Sequence, residues 1–427
     1  MSNKRILKAY ERYDGNGRVV PGSLVLRDRI PKNGRWKELV GYECCNPVLF
    51  NFDVTANWSL TNPEVTDEES FREFLEDGED GDGNGNHLLD VVISDFSLID
   101  GRLRCNLSAD VDGDRFYLTN MEITDVRGLG DLQNINNRID LRDNNISTFD
   151  PTYPLPNSLE TLILGNNNIT SFDPKLRLPS SLIGLRLNNN QIVTFNPKLR
   201  LPSSLQELNL GGNQIVNFNP SIALPNSLLT LFLNINQIVN FNPTIPLPNS
   251  LTTLDLSNNP ITTFDPTLPL PSSLIGLNFI NNQIVTFNPT IPLPSSLQSL
   301  SLNGNQIVNF NPSLPLPNSL TNLSLANNQI ITFDPTLPLP SSLQSLVLGL
   351  NQIVTFNPSL PLPSSLQYLI LSLNQMTTAG YTASEPWANA MTVIPGRGTM
   401  YISDNINSVS GTTLETILTA KGWNVVV

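Results

Sequence analysis

Apolar residues recur along most of the chain at a fixed step of 23 residues, in the pattern Leu-x-x-Leu-x-Leu-x-x-Asn-x-Ile. One full turn runs from Leu247 to Pro269, and a Phe with the same step appears ten times between Phe149 and Phe356. No insertion interrupts the series. The Asn of the pattern occupies positions Asn144, Asn167, Asn190, Asn213, Asn236, Asn259, Asn282, Asn305, Asn328, Asn351 and Asn374. This periodicity predicts a solenoid in which each turn buries its apolar side chains against the next turn.

The repeated pattern resembles the leucine-rich repeat over residues 155 to 377, with a weaker first turn at residues 139 to 149. The resemblance implies a short strand at each Leu-x-Leu segment, with inward leucines and a parallel sheet on one face. After the strand the chain must turn, and an amide side chain can bond backbone groups that leave the ladder there. We therefore expect a structural Asn ladder, in which removal of one Asn costs about 1 to 3 kcal/mol.

The return path of each turn reads Phe-Asn-Pro-x-x-x-Leu-Pro-x-Ser, with at least two prolines. Proline fixes φ and disfavours helix in the residue before it, so this side is expected to be extended or polyproline-like. The predicted fold is mainly β: a leucine-rich-repeat solenoid with a parallel sheet on one face, a β-rich N-terminal module and an α/β C-terminal cap.

Both ends depart from the period. Turn signals at residues 14–17 and 31–34 predict β-hairpins, Asp67 to Leu75 can form a helix, and residues 118–135 resemble the opening turn of internalin-type bacterial proteins. A short helix is expected from Thr412 to Lys421, followed by a strand. The expected parts are a β-hairpin docking module (1–45), an acidic linker and N-cap region (46–117), the solenoid (118–377) and a C-terminal cap (378–427).

The net charge of −13 is concentrated in residues 1–154, so the repeats are almost neutral and no basic face for nucleic acid is expected. The chain has three cysteines, a small and odd number that argues against a secreted scaffold held together by disulfides. No run approaches the roughly 20 apolar residues of a membrane span, and the first residues lack an apolar leader segment. We therefore expect synthesis in a cytoplasm without a secretion signal, and no membrane insertion.

Little in the sequence suggests catalysis, because His87 is the only histidine and triad chemistry would have to use it. A non-enzymatic protein without an organic cofactor is expected. The loop from Asp80 through Asp82 and Asn84 resembles the start of an EF-hand calcium loop, although Val91 stands where the bidentate Glu belongs. Calcium binding at these three residues competes with a merely flexible acidic loop.

The outward positions of the sheet differ between turns while the surrounding frame is nearly constant, so the sheet face is the predicted binding surface. Apolar and aromatic residues gather there in two clusters, which can mark a protein partner site. The alternative for the second cluster, on the last two turns, is packing under the C-terminal cap. A Thr and Asn ladder just before each Phe is either a glycan contact or a solvated edge. The predicted binding residues are Arg186, Glu207, Phe232, Ile235, Asp255, Val347, Leu350, Tyr368, Ile370 and Leu373.

The N-terminal segment adds a second resemblance. Arg5-Ile-Leu-Lys-Ala-Tyr-x-Arg-Tyr-Asp-Gly-x-Gly-Arg-Val-Val-Pro21, with Gly41-Tyr-Glu-Cys-Cys45, resembles the opening of virion proteins in crAss-like and related tailed bacteriophages. It implies a capsid- or tail-attached fibre or decoration protein in the virion, with virion subunits or a host surface receptor as partners. The alternative is a cellular bacterial leucine-rich-repeat protein, in the cytoplasm or at the cell surface. A surface glycan ligand and a homo-oligomer stay open.

Overall fold

The computed structural model describes residues 137–149, 155–171, 177–195, 200–218 and 222–427 with their side chains, and also the backbone of eight strands between Lys8 and Tyr117. In the segment predicted as a hairpin module, β1 (Lys8–Tyr13), β2 (Val25–Arg27) and β3 (Arg35–Glu38) form an antiparallel sheet in the order β2-β1-β3. Its docking role stays a prediction.

Strands also occupy the segment expected to be an acidic linker. They are β4 (Val48–Phe50), β5 (Ala56–Asn57), β6 (Leu88–Ile99), β7 (Arg102–Val111) and β8 (Arg115–Tyr117). The first four pair antiparallel in one sheet, whereas β8 pairs parallel with the first repeat strand. The parallel sheet therefore begins at Arg115, slightly before the expected solenoid boundary at residue 118. The helix expected at residues 67–75 and the opening turn expected at residues 118–135 lie outside the described residues.

Eleven three-residue strands at a 23-residue step form the centre of a 14-stranded parallel sheet. The middle residue of each strand is Leu or Ile and is buried, and it pairs with its counterpart in the next turn, as Leu254 does with Leu277. Because the register never slips, each strand leucine from Leu185 to Leu346 lies beside the leucines of both neighbouring turns. The strands are β9 (Arg138–Asp140), β10 (Thr161–Ile163), β11 (Gly184–Arg186), β12 (Glu207–Asn209), β13 (Thr230–Phe232), β14 (Thr253–Asp255), β15 (Gly276–Asn278), β16 (Ser299–Ser301), β17 (Asn322–Ser324), β18 (Ser345–Val347) and β19 (Tyr368–Ile370).

The return side has no helix among the described residues from Leu155 to Met376, as its prolines predict. Its core is a row of phenylalanines whose neighbouring rings stack at 6.1 to 6.4 Å between centroids, from Phe195 to Phe241 and from Phe264 to Phe356. A serine ladder adds polar links between turns, since the Ser296 hydroxyl donates to the Leu274 carbonyl at 2.7 Å and its equivalents repeat this bond. These contacts join each turn to the next on the side opposite the sheet.

The C-terminal cap contains α1 (Thr378–Ala390), β20 (Gly398–Tyr401), α2 (Thr413–Ala420) and β21 (Trp423–Val426), and its two strands extend the parallel sheet. The helix α2 and the last strand agree with the sequence prediction. The helix α1 was not predicted, because its sequence contains Gly380 and Pro386. Tertiary contacts stabilise α1: Trp387 meets the Phe356 ring edge-on at 4.7 Å, and the Ser384 hydroxyl accepts the Phe356 amide.

Candidate functional site

The Asn ladder is buried and satisfied by the protein itself. The Asn282 Nδ2 donates to the carbonyls of Leu256, Phe279 and Ile280 at 3.0 to 3.3 Å, and its Oδ1 accepts the Ile261 amide at 3.2 Å. The same arrangement repeats from Asn167 to Asn374. Each Asn therefore bonds backbone groups of its own turn and of the preceding turn, and its amide offers little to an external ligand.

The charged side chains predicted for the sheet face are engaged within the chain. Arg186 and Glu207, on neighbouring strands, form a bidentate ion pair at 2.8 and 2.9 Å, and this hydrogen bonding raises the pKa of Arg186. The Asp255 carboxylate accepts the Ser257 amide of its own turn. Sequence reasoning missed Asp140, which is fully buried beside the guanidinium groups of Arg138 and Arg142. Arg186, Glu207 and Asp140 are therefore each paired with an opposite charge, whereas Asp255 is bonded to a backbone amide.

A contiguous apolar surface covers the last turns of the sheet. Val347, Ile370 and Tyr401 form one cross-strand row, Tyr368 stands at the start of β19, and Leu350 and Leu373 follow in the adjacent turns. We call these six residues the C-terminal apolar patch. The alternative that the cap covers them is wrong for Leu350, Tyr368 and Leu373, whose exposed fractions are 51%, 48% and 47%. The cap instead extends the patch by Tyr401, which sequence reasoning missed because the last turn is degenerate.

Leu350 and Leu373, the two leucines of the C-terminal apolar patch, occupy a strained backbone position. In each turn the residue before the ladder Asn has a positive φ, the left-handed region that costs a residue with a side chain roughly 1 to 2 kcal/mol. Asn, Asp and Gly tolerate this conformation, and they fill the position in most turns: Asp143, Asn166, Asn189, Gly212, Asn258, Asn281, Gly304 and Asn327.

Ile235, Leu350 and Leu373 depart from this rule, with φ angles of 53°, 56° and 58°. Asparagine side chains at the same position link neighbouring turns, as in the bond from Asn281 to Asn258 at 3.0 Å. An apolar side chain loses that bond, and a half-exposed one gains little burial in return. The three residues therefore hold apolar groups towards solvent at a conformational cost that the free solenoid does not recover.

The calcium candidates Asp80, Asp82 and Asn84, together with His87, lie outside the described residues, so calcium binding stays a prediction. Within the described part of the chain, no cluster of three or more His, Cys, Asp or Glu side chains could hold a metal ion. Neither α1 nor α2, the helices of that same part, is long and apolar enough to cross a bilayer.

The family model described as Leucine Rich Repeat matches residues 250–270. The solved leucine-rich-repeat protein of Leptospira interrogans is similar in structure, with a TM-score of 0.50 and 22% identity over 74% of this chain and 84% of that chain. The chain has a leucine-rich-repeat fold. Solenoids of this kind are typically non-enzymatic binding scaffolds whose extended face makes the contacts.

Other matches are weaker in structure. YopM from Yersinia enterocolitica is 24% identical with a TM-score of 0.45, and the match covers 68% of this chain and 65% of YopM. A chain from the octameric complex of latrophilin 3, Unc5D and the leucine-rich-repeat protein FLRT2 is 20% identical with a TM-score of 0.47, covering 70% of this chain and 86% of that chain. The sequence matches no curated protein.

Proposed function

We propose that this leucine-rich-repeat protein is a protein-binding scaffold whose C-terminal apolar patch receives apolar side chains of a protein partner. The observation that carries this proposal is the exposure of Leu350 and Leu373 at backbone positions that favour Asn or Gly. Their strain is offset when a partner buries them, because removing a leucine side chain from water contributes about 1.5 to 3 kcal/mol. A partner contact therefore accounts for the strain that the free protein does not recover.

The composition of the patch defines the partner's chemistry. None of its six residues is charged, and Tyr368 and Tyr401 add aromatic rings with hydroxyl groups, the kind of anchor that dominates protein interfaces. The complementary segment should be neutral and apolar, with polar groups at its rim. Because Tyr368 is half-exposed, its ring is available to such a segment.

A smaller site five turns away supports an extended contact. Phe232 lies half-buried on β13, and Ile235 follows in the turn with 53% exposure. Five turns at about 4.8 Å place it roughly 24 Å from Leu350 along the sheet. The sheet positions between the two sites are mostly polar, as at Asn278, Ser301 and Ser324. A partner that follows the sheet face can use Phe232 and Ile235 as a second anchor.

The double variant Leu350→Asn/Leu373→Asn tests the patch. Asn tolerates the positive φ, so we expect unchanged or slightly higher stability and at least a tenfold loss of partner binding. The full chain and this variant are immobilised in parallel, and proteins captured from the source cells are quantified by mass spectrometry. Asn281→Gly/Asn327→Gly, at the same backbone position in polar turns, is the matched control and should bind as the natural chain does. Equal capture by all three proteins would contradict the proposal.

For the biological setting we propose a tailed-bacteriophage particle, in which the N-terminal segment attaches the chain to virion subunits and the solenoid contacts the host or a neighbouring subunit. The support is the resemblance of residues 5–21 and 41–45 to virion proteins, which rests on sequence alone. Mass spectrometry and electron microscopy of purified particles test it. A chain that is absent from the particles and present in uninfected bacteria would instead support the cellular alternative.

A further inference from the structure

A second apolar surface runs along one flank of the solenoid. It lies on the segment of each turn between the ladder Asn and the Phe of the return side. The buried Ile of the repeat pattern lies two residues after each ladder Asn. The residue after that Ile is Val or Ile in most turns and is exposed to solvent, with exposed fractions of 39% to 49% at six positions. We call this column the valine stripe. Its members are Val193, Val216, Val239, Thr262, Val285, Val308, Ile331 and Val354.

The stripe is regular and sharply bounded. Parallel bridges join Asn240 to Thr263 and Thr263 to Thr286 in the next column, so this flank keeps the spacing of a sheet. The equivalent residue is polar in the first two repeats, Ser147 and Thr170, and in the last, where Thr377 caps helix α1. Apolar residues therefore fill this column in seven of eight consecutive turns, with Thr262 as the exception, and in none of the other three turns.

No charged residue lies in the stripe or in the exposed columns directly beside it. The column on one side of the stripe is mostly glutamine, beginning at Gln191, and the column on the other side is Thr or Asn, beginning at Thr194. Neither column contains a charged residue over these eight turns. Like-charge repulsion opposes contact between identical protein surfaces, and these three columns contain no charge that would cause it.

We propose that the valine stripe is the surface through which two copies of this chain associate, in antiparallel orientation about a two-fold axis. A second copy is the partner whose apolar column has the same step and length by construction. A closed two-fold interface is self-complementary, and an axis at the centre of the stripe lies between Thr262 and Val285. Val216 of each copy then faces Ile331 of the other.

The size of the flank agrees with a reversible dimer. Eight turns at about 4.8 Å and four residues at about 3.3 Å give a footprint of roughly 38 by 13 Å for the stripe and its two polar neighbours. Contact between two such surfaces buries on the order of 1,000 Å² in total, near the lower limit for a specific interface. The dimer should therefore dissociate on dilution.

Sedimentation of the full chain tests the proposal. The natural chain should have twice the mass of one copy at micromolar concentration, and Val239→Lys/Val285→Lys should weaken association at least tenfold. Gln298→Lys/Gln344→Lys, at exposed positions on the opposite flank, is the charge-matched control and should remain dimeric. If the lysine pair lowers the melting temperature, Val239→Thr/Val285→Thr replaces it, because Thr262 already occupies this column.

A charge-pair experiment tests the antiparallel register. Val216→Lys and Ile331→Glu should each be monomeric alone, and a mixture should form a dimer in which lysine faces glutamate at one contact and the natural residues meet at the other. A natural chain that is monomeric, a lysine pair that dimerises normally, or a mixture that does not associate would each overturn the proposal. The Leu350→Asn/Leu373→Asn variant should still dimerise, which separates this surface from the partner-binding patch.

Discussion

Replacing a ladder asparagine in the middle of the solenoid tests the physical basis of the stack, and Asn282→Ala is the most informative choice. The three carbonyls that Asn282 satisfies each keep another partner: Leu256 with Asn259, Phe279 with Asn305, and Ile280 with the Asn258 amide. The Ile261 amide has no second acceptor among the bonds of the described residues. The variant therefore leaves one buried donor unpaired.

The magnitude follows from that count. An unpaired buried amide costs about 1 to 3 kcal/mol, and weakening three shared carbonyl bonds adds a smaller amount, so we expect a loss of about 2 to 3 kcal/mol. The neighbouring Gln283→Ala removes an exposed side chain of similar chemistry and should change stability by less than about 0.5 kcal/mol. The contrast between the two variants isolates the buried bond from the loss of an amide as such.

Urea unfolding gives the free energy difference, and hydrogen exchange gives its location. A repeat array can open locally, so exchange of the Ile261 amide should accelerate more than that of Ile238 or Ile307, which are bonded in the same way two turns or fewer from the change. A loss below about 0.5 kcal/mol with unchanged exchange at Ile261 would refute the reasoning. It would mean that water or a backbone shift replaces the bond from the Ile261 amide to Asn282 without loss of stability.

Two further predictions concern the return side. Phe287 is buried between Phe264 at 6.1 Å and Phe310 at 6.3 Å, so Phe287→Ala should lower stability in urea by about 3 to 5 kcal/mol, whereas the exposed neighbour Thr286→Ala should not. Hydrogen bonds from Thr290 and Ser359 lower the pKa of Asp265 and Asp334 below the ordinary value of 3.8. Their contribution is therefore present above that value and lost as the pH falls through the lowered pKa. Below about pH 4 the urea midpoint should fall less in Asp265→Asn/Asp334→Asn than in the natural chain. The asparagines can replace the carboxylates because Asn242, Asn288 and Asn311 make the same contact in other turns. If the urea midpoint of the variant falls with pH as it does in the natural chain, these two carboxylates are not the cause of the fall.

The sequence was sufficient to predict the sheet, because the repeat has a fixed length of 23 residues and side chains alternate between the two faces of a strand. Only one arrangement then places all the strand leucines in the core. It also predicted the return side, since proline restricts the backbone locally. Helix α1 could not be predicted in this way, because Gly380 and Pro386 oppose it and tertiary contacts, among them those with Phe356, stabilise it. The burial of Asp140 likewise depends on two arginines that only the fold brings to it.

Five of the six residues of the C-terminal apolar patch could be named from the sequence, but their backbone strain could not. The outward positions of the strands follow from alternation, and the two apolar clusters follow from them. The positive φ before each ladder Asn was not deduced, although the Asn and Gly residues in that column were a visible signal of it. Knowing the conformation changes the meaning of Leu350 and Leu373, because it shows that an ordinary surface leucine is there at a cost.

A repeat protein contains its own controls, and these separate what the fold requires from what function adds. At the positive-φ position the backbone favours Asn, Asp or Gly, so a leucine there points to a partner. On the flank the fold has no such requirement, because Ser147, Thr170 and Thr262 occupy the column of the valine stripe with polar side chains. The exposed valines of the stripe are therefore not needed for folding. Their restriction to seven turns within one run of eight is better explained by contact with a surface of the same length.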